Sequence, residues 1–240
     1  MTVSVVPAII PKDFDDLEAH MVRVKGLVER VQVDIANGSY APTTTWPYND
    51  MTKQVSEQFA RIVREDEGLP FWRELDVEVD MLVAEPEKYL DGWIHAGIVG
   101  TVIHIESTRS YSQILKNLRI AEMEVGWGMR PNTPNDELFR IIKEHGMPDF
   151  VQVMGNDRIG YHGAELDERV YEKVKTIRRK FPDLTIAVDI GVNEETAPKL
   201  VEAGVNKLVA GSAIFESGDA EEAIDYFQQL GSTDYQSAEG

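Results

Sequence analysis

The order of residues predicts an α/β protein folded as one (β/α)8 barrel, the TIM-barrel architecture, and three observations carry that expectation. Short β-branched runs alternate with longer stretches of helical period, roughly eight times along 240 residues. At 42% hydrophobic the chain can bury a large core, and a single domain of this size is ordinary only for barrels and large sheets. Parallel strands also need crossover helices, and closing the sheet removes its edges. The competing architecture, an open doubly wound sheet, lacks its signature: the first strand runs into PKDFDD rather than a glycine-rich dinucleotide turn.

The strands are expected at VSVVPAII from Val3, RVQVDI from Arg30, LDVEVDMLV from Leu75 and TVIHI from Thr101, then IAEMEVGWG from Ile120, DFVQVM from Asp149, LTIAVDI from Leu184 and NKLVAGS from Asn206. Amphipathic stretches lie between them. In ELDERVYEKVKTIRRKF the residues Leu166, Val170, Val174, Ile177 and Phe181 make an apolar stripe, and the basic residues form a solvated face. Asn193 reads as the N-cap of a helix over EETAPKLVEAG, and Gly204 as its left-handed C-terminal residue. No linker divides the chain, so one barrel domain is expected over 1–230, with a polar tail expected to fray over 231–240, GSTDYQSAEG.

Composition narrows the partners. With 42 acidic against 24 basic residues, the formal charge of -18 repels nucleic-acid backbones and anionic membranes. The absence of cysteine excludes disulfides, thiolate metal sites and a cysteine nucleophile. MTVSVVPAII has no basic leader and no segment approaches the roughly 20 apolar residues that cross a bilayer, so the expectation is a cytoplasmic chain.

Strand alternation then finds the chemistry. In VQVDIANG and IAVDIGVN, Asp34 and Asp189 follow apolar residues near strand ends, where barrels hold their active sites. Asp80 is placed likewise in DVEVDMLV, with Glu78 on the same face, and His104 and Glu106 alternate in TVIHIES. Like charges crowded in a low dielectric need a cation, a shared proton or a nearby base. Read singly, any one of these aspartates is equally a loop cap, His104 an interior histidine, and Glu78 or Glu106 a partner of Lys207 or Arg158. Gly191 after the seventh strand, and Gly211 with Ser212 after the eighth, offer backbone N–H groups where barrels often hold phosphate.

These residues resemble the ribulose-phosphate 3-epimerase family. The likeness runs from VPAIIPKDF through VQVDIANGSYAP, DMLVAEPEKYLDGWIHAG, VIHIE and VQVM, and is most specific in FPDLTIAVDIGVNEETAPKLVEAGVNKLVAGSAIF. It implies a ribulose-phosphate-binding barrel that interconverts ribulose 5-phosphate and xylulose 5-phosphate with two aspartates and a divalent metal, Asp34 and Asp189 matching the two. The partner implied is a small phosphorylated sugar, and a homo-oligomer is open. The chain also departs from the family. Gln32 and Asp80 stand where the family usually has metal-ligand histidines, Ala36 where a methionine covers the site, Asn37-Gly38 for Asp-Gly, Ala8 for a serine, and Ile190-Gly191 for Gly-Gly. GNDRIGYHGAEL replaces the glycine-rich phosphate loop.

The expected metal set is therefore Gln32, Asp34, Asp80 and Asp189, all oxygen donors, which suits Mg²⁺ or Mn²⁺ better than Zn²⁺. Phosphate is expected at Gly191, Gly211, Ser212 and Arg158, with Ala8, Met154, His104 and His162 around the substrate. The alternative is a catalytically impaired sugar-phosphate binding or regulatory protein on the same scaffold. A decarboxylase or aldolase is disfavoured, because the third strand has no lysine of an Asp-x-Lys pattern and no inner strand a Schiff-base lysine.

Overall fold

The computed structural model describes residues 2–161 and 163–231. Its strands close in sequence order into a parallel barrel, β1-β2-β3-β4-β5-β6-β7-β8, which rules out the open sheet. β1 (Ser4–Ile9) leads into α1 (Phe14–Val24), β2 (Arg30–Ala36) into α2 (Glu57–Val63), and β3 (Asp76–Leu82) into α3 (Leu90–His95). β4 (Gly100–His104) is followed by α4 (Tyr111–Ile120), β5 (Glu124–Met129) by α5 (Asn135–His145), and β6 (Phe150–Met154) by α6 (Arg169–Lys180). β7 (Thr185–Asp189) leads to α7 (Ala197–Ala203), and β8 (Lys207–Ala210) to α8 (Ser212–Phe215) and α9 (Ala220–Gln229).

Alternation sorts each strand's residues between two cores. Val31, Val33 and Ile35 of β2, with Val77, Val79 and Met81 of β3, face the helices in one large apolar layer. Val6, Ala8, Val102, Phe150, Ala187 and Val209 form a separate cluster that fills the barrel. Space inside is so tight that a Cβ at Gly126 would collide with the Phe150 ring.

The end where the strands begin is closed by charge pairs. Lys207 Nζ donates to both oxygens of Glu78 at 2.7 and 2.6 Å and lies 3.8 Å from the Phe150 ring centroid. Arg30 reaches Glu78 at 3.4 Å and Glu124 at 2.5 Å. The pairing of Glu78 with Lys207 is one the sequence offered.

Some boundaries differ from expectation. Ile120 ends α4 and is largely exposed, so the fifth strand begins only at Glu124. Asn193 caps a turn ahead of α7, accepting from the Glu195 and Thr196 N–H groups, while Gly204 ends that helix at φ +113° as the glycine signal required. Arg178 is not merely solvated: its guanidinium holds the carbonyls of Pro182, Leu184 and Gly204. The tail expected over 231–240 lies, from 232 on, outside the described residues. Among the described residues no helix is long and apolar enough to cross a membrane.

Candidate active site

The strand ends opposite the charge pairs carry the carboxylates. Register places Asp34 of β2 beside Asp80 of β3, and Asp189 of β7 beside Met154 of β6. All three aspartates are buried, and one oxygen from each lies within 4.8 Å of the others. The loop after β2 fixes this geometry through Thr45, whose hydroxyl donates to the Asp34 carbonyl at 3.0 Å and accepts from Ala36 N–H at 2.9 Å. Trp46 anchors the same loop in an aromatic cluster with Phe14, Phe59 and Trp93.

The three carboxylates have unequal surroundings. The amide of Gln32 donates to Asp34 Oδ1 at 2.9 Å, and the same amide and the Ile190 N–H favour the ionised form of Asp189. Asp80 meets His104 Nε2 at 2.9 Å on one oxygen and Gln152 Nε2 at 3.2 Å on the other. Burial, reinforced by the charges of Asp189 and Asp80, pushes Asp34 well above the ordinary carboxylate range. Burial and Asp80 push Asp189 up to about 7, against the opposing pull of its hydrogen bonds. At His104 burial works against the charged form, but the Asp80 carboxylate together with Glu106 outweighs it and the pKa is raised. Two buried acids with raised proton affinity that open on one small space are what acid-base work at a carbon requires.

The same cluster suits a hard cation. Its donors are oxygens, and Gln32 Oε1 is buried beside them with no hydrogen-bond partner among the described residues. In the present rotamer Nε2 rather than Oε1 faces the aspartates, so ligation by Gln32 requires the amide to turn over.

Asp34 and Asp189 open on a hollow of about 40 Å³, lined also by Ala8, Met154, Gly191, Gly211 and Ser212. Two expectations are corrected. His104 is fully buried, packed against the Tyr40 ring at 5.1 Å, and bonds Asp80 instead of lining the hollow. Arg158 is exposed, with its guanidinium 5.8 Å from the Tyr161 ring centroid, and Gly160, Tyr161 and Gly163 of its loop line the hollow in its place. His162 lies outside the described residues. Glu106 pairs not with Arg158 but with the Tyr40 hydroxyl, the Arg130 N–H and Thr133.

Two residues escape a reading of the sequence. Gln152 alternates inward in FVQVM as Gln32 does in VQVD, so a signal for it is present. Ile190 adopts φ +77°, a left-handed conformation hostile to a β-branched side chain, and no pattern in the sequence announces it beyond the glycine it replaces in the resemblance.

A family model described as ribulose-phosphate 3 epimerase family matches residues 4–215. This chain belongs to that family. Its members are isomerases that act on carbohydrate phosphates and use a divalent metal, and the buried aspartates here form a cluster able to hold one. Ribulose-phosphate 3-epimerase from Eremothecium gossypii is 28% identical over 225 residues, covering 93% of this chain and 91% of the relative. The Bacillus subtilis enzyme of the same name is 28% identical over 228 residues, covering 92% and 96%. Among solved structures, 3-hexulose-6-phosphate synthase from Salmonella typhimurium superimposes with a TM-score of 0.66 at 16% identity, covering 96% of this chain and 98% of its own. KGPDC from Streptococcus mutans gives 0.67 at 12%, covering 95% and 96%. Both show the barrel fold.

Proposed function

We propose that this chain epimerises a ketose phosphate, with Asp34 and Asp189 as the paired proton carriers and Gln32, Asp34, Asp80 and Asp189 holding a divalent cation, Mg²⁺ or Mn²⁺ in preference to Zn²⁺. The observation that carries the reading is the meeting of two buried aspartates, both with raised proton affinity, at the strand ends of a barrel in this family. One carboxylate, ionised, removes the proton from the carbon beside the carbonyl; the other, protonated, returns one to the opposite face, which inverts that centre. The cation, when bound, supplies positive charge against the oxyanion that develops at the carbonyl. Gly191, Gly211 and Ser212 present backbone to the phosphate in the hollow, and glycine there lets the chain come close. At Gly191 the backbone is already at φ +73°, and a Cβ would meet Leu166 N at 2.6 Å.

The substrate placed first is ribulose 5-phosphate, in keeping with the names of two relatives. Interconversion with xylulose 5-phosphate, followed by NMR in the presence of Mn²⁺ or Mg²⁺ across a panel of ketopentose and ketohexose phosphates, tests this. Turnover of at least one member, lost in Asp189→Asn, is expected. A panel that binds without turning over would make the chain a sugar-phosphate binding protein on an epimerase scaffold.

A further inference from the structure

We propose that His104 and Gln152 are positioning residues that fix the Asp80 carboxylate, making it the anchor of the cluster and leaving proton transfer to Asp34 and Asp189. The inference deepens the metal-assisted reading above and rests on it for its catalytic consequence, but not for its geometry.

Asp80 is the one member of the trio with a side-chain donor on each oxygen, His104 on Oδ1 and Gln152 on Oδ2. The three residues come from three strands, β3, β4 and β6, and each is wholly buried. Donors on both oxygens hold a carboxylate in one orientation, whereas Asp34 has one side-chain donor among the described residues, Gln32 on Oδ1. Outer donors of this kind are what orient a metal ligand and hold it in place.

The place of the imidazole is itself built. Register sets His104 beside Gly128, where a Cβ would come within 3.1 Å of ring atoms Cε1 and Nδ1 and 2.9 Å of Val102 Cγ1. Tyr40 covers the ring from the loop side at 5.1 Å, and Tyr40 is in turn held by Glu106 and Arg130. Nδ1 has no partner among the described residues, while Nε2 faces a carboxylate. A buried N–H without an acceptor is rarer and costlier than an unused lone pair, so in the neutral ring the proton sits on Nε2, and in either protonation state Nε2 donates to Asp80.

Gln152 is positioned with equal care. Its neighbours in register are Gly128 on β5 and Ala187 on β7, small residues that leave room for a glutamine across the barrel. Its amide nitrogen reaches Asp80 and also lies 3.9 Å from Met154 Sδ, while Oε1 finds no partner among the described residues.

Two readouts test the proposal on the full chain. The first is Mn²⁺ titration of wild type, His104→Leu, His104→Gln and Gln152→Leu by calorimetry, with circular dichroism to confirm folding. Loss of a residue that orients a ligand typically weakens metal binding about 10- to 100-fold. That loss is expected for His104→Leu and Gln152→Leu, while His104→Gln, which keeps a donor near the Nε2 position, should recover most of it. A purely space-filling role would not distinguish His104→Gln from His104→Leu in that direction. Folded variants with wild-type Mn²⁺ affinity would overturn the proposal. The second readout needs no metal: long-range proton-nitrogen NMR of the histidines in chelator-treated protein. An Nε2-protonated His104 signal that changes in Asp80→Asn is expected, and a neutral ring protonated on Nδ1 with Nε2 bare would overturn the proposal. Should wild type bind no divalent cation, the metal-assisted reading fails, and the NMR result alone decides the clamp.

Discussion

Glu78 and Asp80 lie two residues apart on the inner face of β3, equally buried, and their surroundings could hardly differ more. Glu78, toward the strand starts, meets a lysine ammonium on both oxygens and a guanidinium at 3.4 Å. Asp80, toward the strand ends, meets an imidazole and a neutral amide, and has two further carboxylates beside it. One end of the barrel neutralises its buried charge with partners from the chain. The other leaves negative charge in excess, which costs stability unless something from outside offsets it. Such imbalance within one strand marks the end where chemistry takes place and the end that closes the fold.

The contrast breaks most visibly through the acids at the strand ends. Replacing Asp189 by Asn removes one proton carrier and should lower turnover by at least about 10³-fold, with the melting temperature unchanged or raised because a crowded charge is gone. Steady-state assay beside calorimetry checks both, and a large loss of stability would show that this end, too, is structural.

At the strand starts the expectation reverses. Lys207→Met strands Glu78 without its principal partner, which should cost about 3–5 kcal/mol by urea unfolding. The kcat of the folded fraction should hold, because the pair does not touch the hollow. A Glu78→Gln, Lys207→Met double variant should recover much of the stability.

Acidity sharpens the comparison further. In metal-free protein Asp189 titrates at about 7 when folded and near 3.9 when unfolded. Below pH 4 both states are protonated and there is no penalty. Between pH 4 and 7 the unfolded chain ionises first, so stability should fall by about 1.4 kcal/mol per pH unit for the one proton, then level off. Arg30 instead holds Glu124 below the usual range, so its stabilisation is present at neutral pH and is lost on acidification. Denaturation curves from pH 4 to 8 with chelator should show the Asp189 slope, flattened in Asp189→Asn. A wild-type curve rising throughout this range would contradict the account of this end.

The smallest effect is expected at Ile190. Glycine relieves the positive φ, and Ile190→Gly should stabilise by about 1 kcal/mol, read as a shift in urea midpoint.

Much of this contrast is legible in the residues. Period-two alternation in VQVDIA, DVEVDML and IAVDI settles which side chains enter the barrel, so Gln32, Asp34, Glu78, Asp80 and Asp189 are all readable as inward-facing. Alternation does not carry azimuth. Nothing local says that Lys207 of the last strand crosses to Glu78, or that His104 turns its Nε2 to Asp80 instead of to the hollow; those follow from register and closure. The loop after β6 is illegible for a related reason. Arg158 has the charge that phosphate needs, but a loop's path depends on contacts such as Gly160 against Thr43, where a Cβ would collide with the hydroxyl. The boundaries differ at Ile120 and Asn193 because an apolar residue closes α4 on an exposed face and a capping residue sits in the turn ahead of α7.

The central claim is that Asp34 and Asp189 move a proton at a substrate carbon, and solvent isotope exchange reaches it most directly. Ribulose 5-phosphate incubated with the protein and Mn²⁺ in D₂O should take up deuterium at the carbon beside the carbonyl, observed by NMR even where net epimerisation is slow. The exchange should vanish in Asp189→Asn and persist in the Lys207→Met variant at a temperature where it is folded. Wild-type protein that binds the sugar phosphate and the cation yet leaves that carbon protonated, or an Asp189→Asn variant that exchanges as fast as wild type, would contradict the account.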